Sequence, residues 1–119
     1  MKTYTQIKKE IVEEKEKYFK NYIFWCKKIK KKAKYVLKDD NIKVLIFGSI
    51  IKGCWGPNSD IDVLVVSEKI KADFEDIIRI KTEIKKSVGL FSPFQIHLAN
   101  TEEYNKWYKK FIKNDYIIV

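Results

Sequence analysis

The chain has 119 residues, of which 45% are hydrophobic and 34% are charged, and its net charge is +9. This length supports one hydrophobic core and excludes two independently folded domains. No signal-peptide pattern is present and no apolar run reaches about 18 residues, so we expect a soluble cytoplasmic protein. Cys26 and Cys54 lack the spacing of a metal or redox site, and we interpret them as free thiols.

The first 38 residues carry the entire charge excess. They hold 13 lysines and 4 glutamates, whereas residues 39–119 hold 12 basic and 12 acidic residues. The densest part has seven lysines and no acidic residue: Lys27, Lys28, Lys30, Lys31, Lys32, Lys34 and Lys38. Such a cluster would bind nucleic acid or an acidic partner. The alternative is the solvated face of a surface helix.

An apolar stripe with steps of three and four runs through the same segment and predicts a helix from about Thr5 to Leu37. Its members are Ile7, Ile11, Tyr18, Tyr22, Trp25, Ile29, Ala33 and Val36. At about 1.5 Å per residue the helix would be ~50 Å long, longer than a domain of this size is wide. Either its free end packs against a second chain as a homodimer, or a break near Lys15 to Lys20 folds it back.

The next segment predicts a strand, a turn and a short helix. The run from Ile42 to Phe47 is apolar and β-branched and ends at Gly48, which is typical of a buried strand followed by a turn. Ser49 lies where a helix would begin, so its hydroxyl and the free backbone N–H groups there would hold a phosphate. Lys52 would add positive charge. Gly53 and a Gly/Pro/Asn/Ser loop lead to the next strand.

The second strand begins with two aspartates, Asp60 and Asp62. Two residues apart in β conformation, both side chains lie on the same face and can bind one divalent cation. Carboxylate oxygens suit Mg²⁺ or Mn²⁺, which completes its shell with water and substrate phosphates. A phosphate pocket beside a metal site indicates one ligand, a metal-bound nucleotide.

The full pattern is Gly48-Ser49, three residues, Gly53, five residues, Ser59-Asp60-Ile61-Asp62 and an apolar strand. It resembles the signature of the DNA polymerase beta nucleotidyltransferase superfamily, in particular its small stand-alone members, the minimal nucleotidyltransferases. The resemblance implies nucleotide contacts from Gly48, Ser49, Lys52, Gly53 and Ser59, with Asp60 and Asp62 as catalytic metal ligands. The alternative is that the glycines are turn residues and the polar residues decorate a strand edge.

The remaining elements predict an α/β domain. Asp73 starts a crossover helix whose expected buried side is Phe74, Ile77, Ile78, Ile84 and Val88. A third strand follows, with Phe94, Ile96 and Leu98 on one face and Gln95 and His97 on the other. A last helix begins at Asn100, with Glu103 in a capping box and a buried stripe of Tyr104, Trp107, Tyr108 and Phe111. The tail from Tyr116 to Val119 is a docked end or an edge strand.

We therefore expect one domain over residues 1–119, with a basic amino-terminal helix (1–38) and an α/β core (42–119). The core would be a small mixed β-sheet of three to four strands with helices mainly on one face, as in a nucleotidyltransferase palm.

Gln95 is the departure from the family pattern. Catalytic members of the superfamily generally carry a third carboxylate on a neighbouring strand, facing the aspartate pair, and we assign Gln95 to that position. An amide oxygen can ligate a metal weakly but cannot accept a proton. Losing a general base typically costs ~10² to 10⁴ in rate. His97 would accept the proton instead, or it is a hydrogen-bonded sheet histidine.

The resemblance implies a transferase that moves a nucleoside monophosphate from a magnesium-bound triphosphate, expected to be ATP, to a hydroxyl. It also implies a helical HEPN-domain partner, the pair behaving as toxin and antitoxin, with a partner tyrosine as acceptor. One alternative is a catalytically weakened nucleotide-binding antitoxin module, which Gln95 favours. Another is a nucleic-acid-binding domain using the cluster from Lys27 to Lys38. No membrane contact is expected.

Overall fold

The computed structural model describes residues 1–56 and 58–119; Pro57, in the predicted Gly/Pro/Asn/Ser loop, lies outside the described residues. The first half contains helices α1 (Tyr4–Lys20) and α2 (Tyr22–Leu37), strand β1 (Lys43–Phe47), helix α3 (Ser49–Lys52) and strand β2 (Ile61–Val66). The second half contains helix α4 (Phe74–Lys86), strand β3 (Phe94–Ala99), a carboxyl-terminal helical segment and strand β4 (Tyr116–Ile118). This helical segment consists of α5 (Thr101–Glu103), a π-helical turn (Tyr104–Tyr108) and α6 (Lys109–Ile112).

The four strands form one mixed sheet in the order β3-β2-β1-β4. Strand β1 pairs antiparallel with β2 and β4, and β2 pairs parallel with β3. Helix α4 makes the crossover that a parallel pair requires. The predicted α/β fold is confirmed, including the adjacency of the first two strands. Of the two alternatives for the tail, the structure shows the edge strand.

The larger hydrophobic core lies between one face of the sheet and helices α2 and α4. Alternation along the strands directs Val44, Ile46 and Val63 to this face, where all three are fully buried. Helix α2 contributes Cys26, Ile29, Ala33 and Leu37. The opposite face carries Leu45, Phe47 and Leu64, which pack with Ile112 of the carboxyl-terminal segment. The helices therefore lie mainly on one face, as predicted.

The predicted amino-terminal helix is interrupted at Asn21, where φ is −121°. Asn21 still donates its N–H to the Lys17 carbonyl at 3.3 Å, and Trp25 donates to the Asn21 carbonyl at 3.2 Å, so the helical path continues through one irregular residue. From Tyr18 onward the apolar stripe packs on the core, whereas Ile7 and Ile11 are exposed. The first turns thus extend from the core, and the longest dimension of the molecule is 49 Å.

Two of the predicted buried stripes need correction. The packed series is Ile77, Ile80 and Ile84 of α4 and Val88 just beyond its end, whereas Phe74 and Ile78 are exposed. Ile78 lies one position off the series and therefore projects to the side of the stripe. In the carboxyl-terminal segment, Trp107 and Phe111 are exposed. The reason is the π-helical turn, in which the Lys109 N–H bonds to the Tyr104 carbonyl five residues back and so rotates the face presented to the sheet.

Cys26 and Cys54 are free thiols, as predicted. Burial raises the pKa of the Cys26 thiol to about 12, so this side chain is neutral at physiological pH and acts as an apolar core group. Within the described ranges, no helix combines the length and apolar character needed to cross a bilayer.

The packing of α2 predicts a position-dependent effect of truncating isoleucines. Ile29→Ala opens a cavity in the main core and should lower the free energy of unfolding by about 2–5 kcal/mol. Ile23→Ala removes the same atoms from an exposed position of the same helix and should cost less than about 1 kcal/mol. Urea unfolding of both variants measures the difference; equal losses would contradict this packing.

Candidate active site

The site is defined by the close approach of Gly48, which follows β1, to the side chain of Asp62 in β2. Across the β1–β2 ladder Phe47 pairs with Asp62, which brings Gly48 beside the Asp62 side chain. Gly48 has a φ of +89°, and a Cβ added there would lie 2.5 Å from Asp62 Oδ2. Only glycine offers both this backbone conformation and this space. The carboxylate of Asp62 therefore lies directly against the turn that opens α3.

Helix α3 is a single turn that begins at Ser49. Its first hydrogen bond joins the Ile51 N–H to the Gly48 carbonyl at 3.1 Å. Gly53, with a φ of +73°, caps the helix by donating its N–H to the Ser49 carbonyl. Since the first N–H groups of a helix have no partner within it, the Ser49 end presents donors close to Asp62.

His97 is the hydrogen-bond partner of Asp62. The distance from His97 Nε2 to Asp62 Oδ1 is 3.2 Å, and each side chain is 25% exposed. The imidazole ring contacts two aromatic rings, that of Phe47 at 5.4 Å between centroids and that of Tyr108 at 6.2 Å. With its proton on Nε2, His97 donates this bond and holds the carboxylate with Oδ2 toward Gly48.

Gln95 is the register partner of Asp62 in the parallel β2–β3 pair, on the same face of the sheet. Gln95 is exposed at the edge of the sheet, and it is among the residues, with Lys85, that line a cavity of about 250 Å³ between β3 and α4. The structure thus places Gln95 beside Asp62 along the sheet, while the neighbour two residues further on, His97, makes the contact with its carboxylate.

Asp60 precedes β2 and is exposed. Lys85 of α4 donates a hydrogen bond from Nζ to the carbonyl oxygen of Phe94, at the start of β3. Burial lowers the pKa of Lys85, and the negative charge of Asp60 opposes this shift. Lys85 therefore holds the start of β3 while its charge lies near Asp60.

The loop that leads to Asp60 is closed on itself and anchored by α1. Ser59 Oγ accepts from the Gly56 N–H at 2.8 Å, and the Ser59 N–H donates to the Gly56 carbonyl at 3.0 Å. Lys15 Nζ donates to the Ser59 carbonyl at 3.3 Å, and the ring of Trp55 stacks on Phe19 at 4.5 Å. Ser59 thus has a loop-closing role, and its contact with a nucleotide remains a prediction.

Two cavities with different chemistry meet at this site, and both are lined by Phe47 and Phe111. The cavity of about 280 Å³ is polar, with Gly48, Lys52, Lys113 and Asp115 in its wall. The cavity of about 450 Å³ is aromatic and is completed by Asp62, His97, Trp107 and Tyr108. Asp62 and Gly48 touch each other, so the two cavities form one cleft with a cationic part and an aromatic part.

Several of these residues were missed by sequence reasoning. Trp107 and Phe111 were predicted to be core residues, and the π-helical turn instead leaves them exposed at the aromatic cavity. Lys113 follows α6 with a φ of +55° and a ψ of −121°, a costly conformation for a residue with a side chain. No pattern in the sequence marks it. Burial, and secondly the charge of Glu103, raises the pKa of Tyr108, so its phenol is protonated at neutral pH.

The donor set fits a hard divalent cation that is only partly enclosed by protein. Over the described residues, no cluster of three or more His, Cys, Asp or Glu side chains is placed to hold a metal ion. Asp62 supplies a carboxylate at the cleft, and the participation of Asp60 as a second ligand remains a prediction. Mg²⁺ accepts one or two protein carboxylates when water and substrate phosphates complete its octahedral shell. The residues present therefore fit an ion that binds together with a nucleotide.

The contact between Gly48 and Asp62 predicts different costs for two glycine substitutions. Gly53→Ala places a side chain in the left-handed region, which costs roughly 1–2 kcal/mol. Gly48→Ala places one at a φ of 89° and a ψ of −156°, a region that glycine almost alone adopts, which costs roughly 1–3 kcal/mol. Gly53 has no heavy atom within 4 Å of an added Cβ, whereas Gly48 has the Asp62 carboxylate. Urea unfolding should therefore show a loss for Gly48→Ala that is larger by about 1–3 kcal/mol; equal losses would mean that Asp62 is not held against position 48.

Comparison with known proteins adds independent evidence. Residues 26–119 match the family model described as a nucleotidyltransferase domain. Two crystal structures of a "putative nucleotidyltransferase" are similar. The first is 28% identical, with a TM-score of 0.61, over 79% of this chain and 96% of that chain. The second, from Sulfolobus solfataricus, is 22% identical, with a TM-score of 0.54, and the match covers 83% of this chain and 82% of that chain. At this identity the match shows only that the two folds are similar.

No curated protein matches the chain. The family match, however, begins within α2, reaches β4 and includes the glycine-serine turn, the aspartate pair and β3. The chain belongs to the nucleotidyltransferase domain family.

Proposed function

We propose that the protein transfers a nucleoside monophosphate from a magnesium-bound nucleoside triphosphate, with ATP as the donor, to a hydroxyl acceptor. The observation that carries this proposal is the convergence of Gly48, Asp62 and Lys52 at one cleft, with Asp62 Oδ2 in the space of the missing Cβ. A phosphate-binding turn and a metal-binding carboxylate in contact with each other suit a single metal–phosphate ligand.

The cationic part of the cleft would bind the β and γ phosphates. Gly48 and Ser49 supply backbone N–H groups and a hydroxyl, and Lys52 supplies charge from the same turn. Lys113 lines the same cavity from the other side. Gly53 and Ser59 act by shaping the turn and the loop that precede Asp60.

Asp60 and Asp62 would hold Mg²⁺ or Mn²⁺. When bound, such an ion neutralises phosphate charge and stabilises the charge that develops during transfer. His97 acts on Asp62, since its hydrogen bond to Oδ1 keeps Oδ2 directed at Gly48.

In the proposed step the acceptor oxygen forms a bond to the α phosphorus while the bond from that phosphorus to the bridging oxygen breaks, and pyrophosphate leaves. The hydroxyl proton passes to water, because the amide of Gln95 cannot accept it.

The aromatic part of the cleft lies beside Asp62 and has exposed rings at Trp107 and Phe111. This open aromatic space supports an acceptor presented by a partner protein, such as a tyrosine of a helical HEPN-domain toxin.

A second candidate function is a nucleotide-binding antitoxin module with weakened catalysis. Gln95 favours it, because this uncharged residue is the register partner of Asp62 and is the residue that we assign to the position of the third carboxylate. Both candidates require the same metal–nucleotide complex and differ only in turnover.

The first prediction of the proposal concerns binding. Asp60→Ala/Asp62→Ala should weaken magnesium-dependent ATP binding about tenfold or more, because both proposed protein ligands of the ion are removed. Glu75→Ala/Asp76→Ala removes the same charge from the exposed start of α4 and should leave binding unchanged. Calorimetric titration with and without Mg²⁺ measures both. Unchanged affinity in the first variant would rule out both nucleotide functions.

The second prediction separates the two candidates. With hydroxyl acceptors that include tyrosine peptides, the wild type should release pyrophosphate, and Gln95→Glu should release it faster by a factor of up to ~10² to 10⁴ because a base is restored. Gln95→Ala is the matched control and should show no gain. A wild type that binds ATP without turnover, and is activated only by Gln95→Glu, would instead establish the weakened module.

A further inference from the structure

We infer that the outer face of α2 binds single-stranded nucleic acid. This face carries a stripe of exposed lysines and aromatic residues, here named the basic-aromatic stripe: Phe24, Lys27, Lys28, Lys31, Tyr35 and Lys38. The steps of three and four place these residues on one side of the helix. The buried residues Cys26, Ile29 and Ala33 lie on the other side. Residues 21–38 contain no acidic side chain.

The aromatic members distinguish this stripe from an ordinary solvated lysine face. Phe24 is 56% exposed and Tyr35 is 77% exposed. Lys28 Nζ lies 5.1 Å from the ring centroid of Phe24, and Lys32 Nζ lies 5.5 Å from that of Tyr35. Exposed rings next to ammonium groups are the combination that binds single strands, because bases stack on the rings while phosphates meet the cations. The two rings are ~16 Å apart along the helix, a distance that a short strand spans.

A groove adjoins the carboxyl end of the stripe. It has a volume of about 630 Å³ and is lined by Lys34, Tyr35 and Val36 of α2, by Lys38 at the end of that helix, and by Arg79 and Glu83 of α4. Glu83 is already paired with Lys86 at 2.9 Å, and the hydrogen bond and charge of Lys86 lower the pKa of Glu83. The groove therefore surrounds the Tyr35 ring with three cationic side chains and with Glu83, whose charge is paired with Lys86. The ring and the cations suit the base and the phosphate of one nucleotide of the strand.

This surface is separate from the proposed catalytic site. Helix α2 packs on the face of the sheet that carries Val44 and Val63, whereas Asp62 lies on the opposite face with Leu64. The inference consequently does not depend on nucleotide transfer. The stripe also differs from a membrane-surface helix, which needs a broad apolar face. The broad apolar face of α2 is already buried in the core.

The test uses fluorescence anisotropy of the full chain with a labelled oligouridylate of about 12 nucleotides, within the site sizes of single-strand binders. Phe24→Ala/Tyr35→Ala should weaken binding about tenfold or more, since each lost base stack is worth ~1–3 kcal/mol. Phe74→Ala/Phe91→Ala removes two exposed aromatic rings that lie outside α2 and should leave binding unchanged.

A second arm tests the charges. Lys27→Gln/Lys31→Gln should reduce the slope of log affinity against log salt by about 1.4, because each phosphate contact on a single strand contributes ~0.7. Lys109→Gln/Lys110→Gln makes the same change in net charge on α6 and should leave the slope unchanged.

Three results would overturn the inference. The first is an absence of oligouridylate binding at low salt. The second is an equal loss in stripe and control variants, which would show diffuse attraction by net charge. The third is unaltered oligouridylate binding in both stripe variants while their binding to phosphatidylserine vesicles is lost, which would assign the stripe to a membrane surface.

Discussion

A carboxylate oxygen of Asp62 occupies the space that a side chain at position 48 would fill. This arrangement requires three things together: the antiparallel register that pairs Phe47 with Asp62, a glycine at a positive φ, and a helix that starts at the next residue. His97 stabilises the arrangement further, because it is hydrogen-bonded to the other oxygen of the same carboxylate. The site thus follows from the backbone geometry of β1 and β2, and the rest of the fold supports that geometry.

Support comes from both sides of the sheet. On one side the helix α2 and the crossover helix α4 bury the apolar halves of the strands, and Lys85 of α4 also holds the first carbonyl of β3. On the other side the carboxyl-terminal segment packs Ile112 against Phe47 and leaves Trp107 and Phe111 at the cleft. The amino-terminal helix α1 anchors the loop before Asp60 through Lys15 and Phe19. The elements far from the aspartates in sequence therefore control how the aspartates are presented.

The fold was predictable where local pattern decides it. Apolar runs ending at Gly48 and starting at Ile61 predicted adjacent strands, and the capping box at Asn100 predicted the start of the last helix, which the structure confirms. Side-chain exposure in the last helix was not predictable, because a π-helical turn shifts the face that regular spacing assigns to the core. Lys113 could not be found either, since its place in the cleft depends on an unusual backbone conformation after α6. Gln95 was assigned to a position facing the aspartate pair from the resemblance and the strand pattern, whereas its register with Asp62 and the contact of His97 with the carboxylate needed the structure.

The most direct test of the central claim is a crystal structure of the protein with Mg²⁺ and a non-hydrolysable ATP analogue. The account predicts an ion bound to carboxylate oxygens of Asp60 and Asp62, with the terminal phosphates against Gly48, Ser49 and Lys52. A cleft without bound phosphates at Gly48, Ser49 and Lys52, or an ion held without either aspartate, would contradict it.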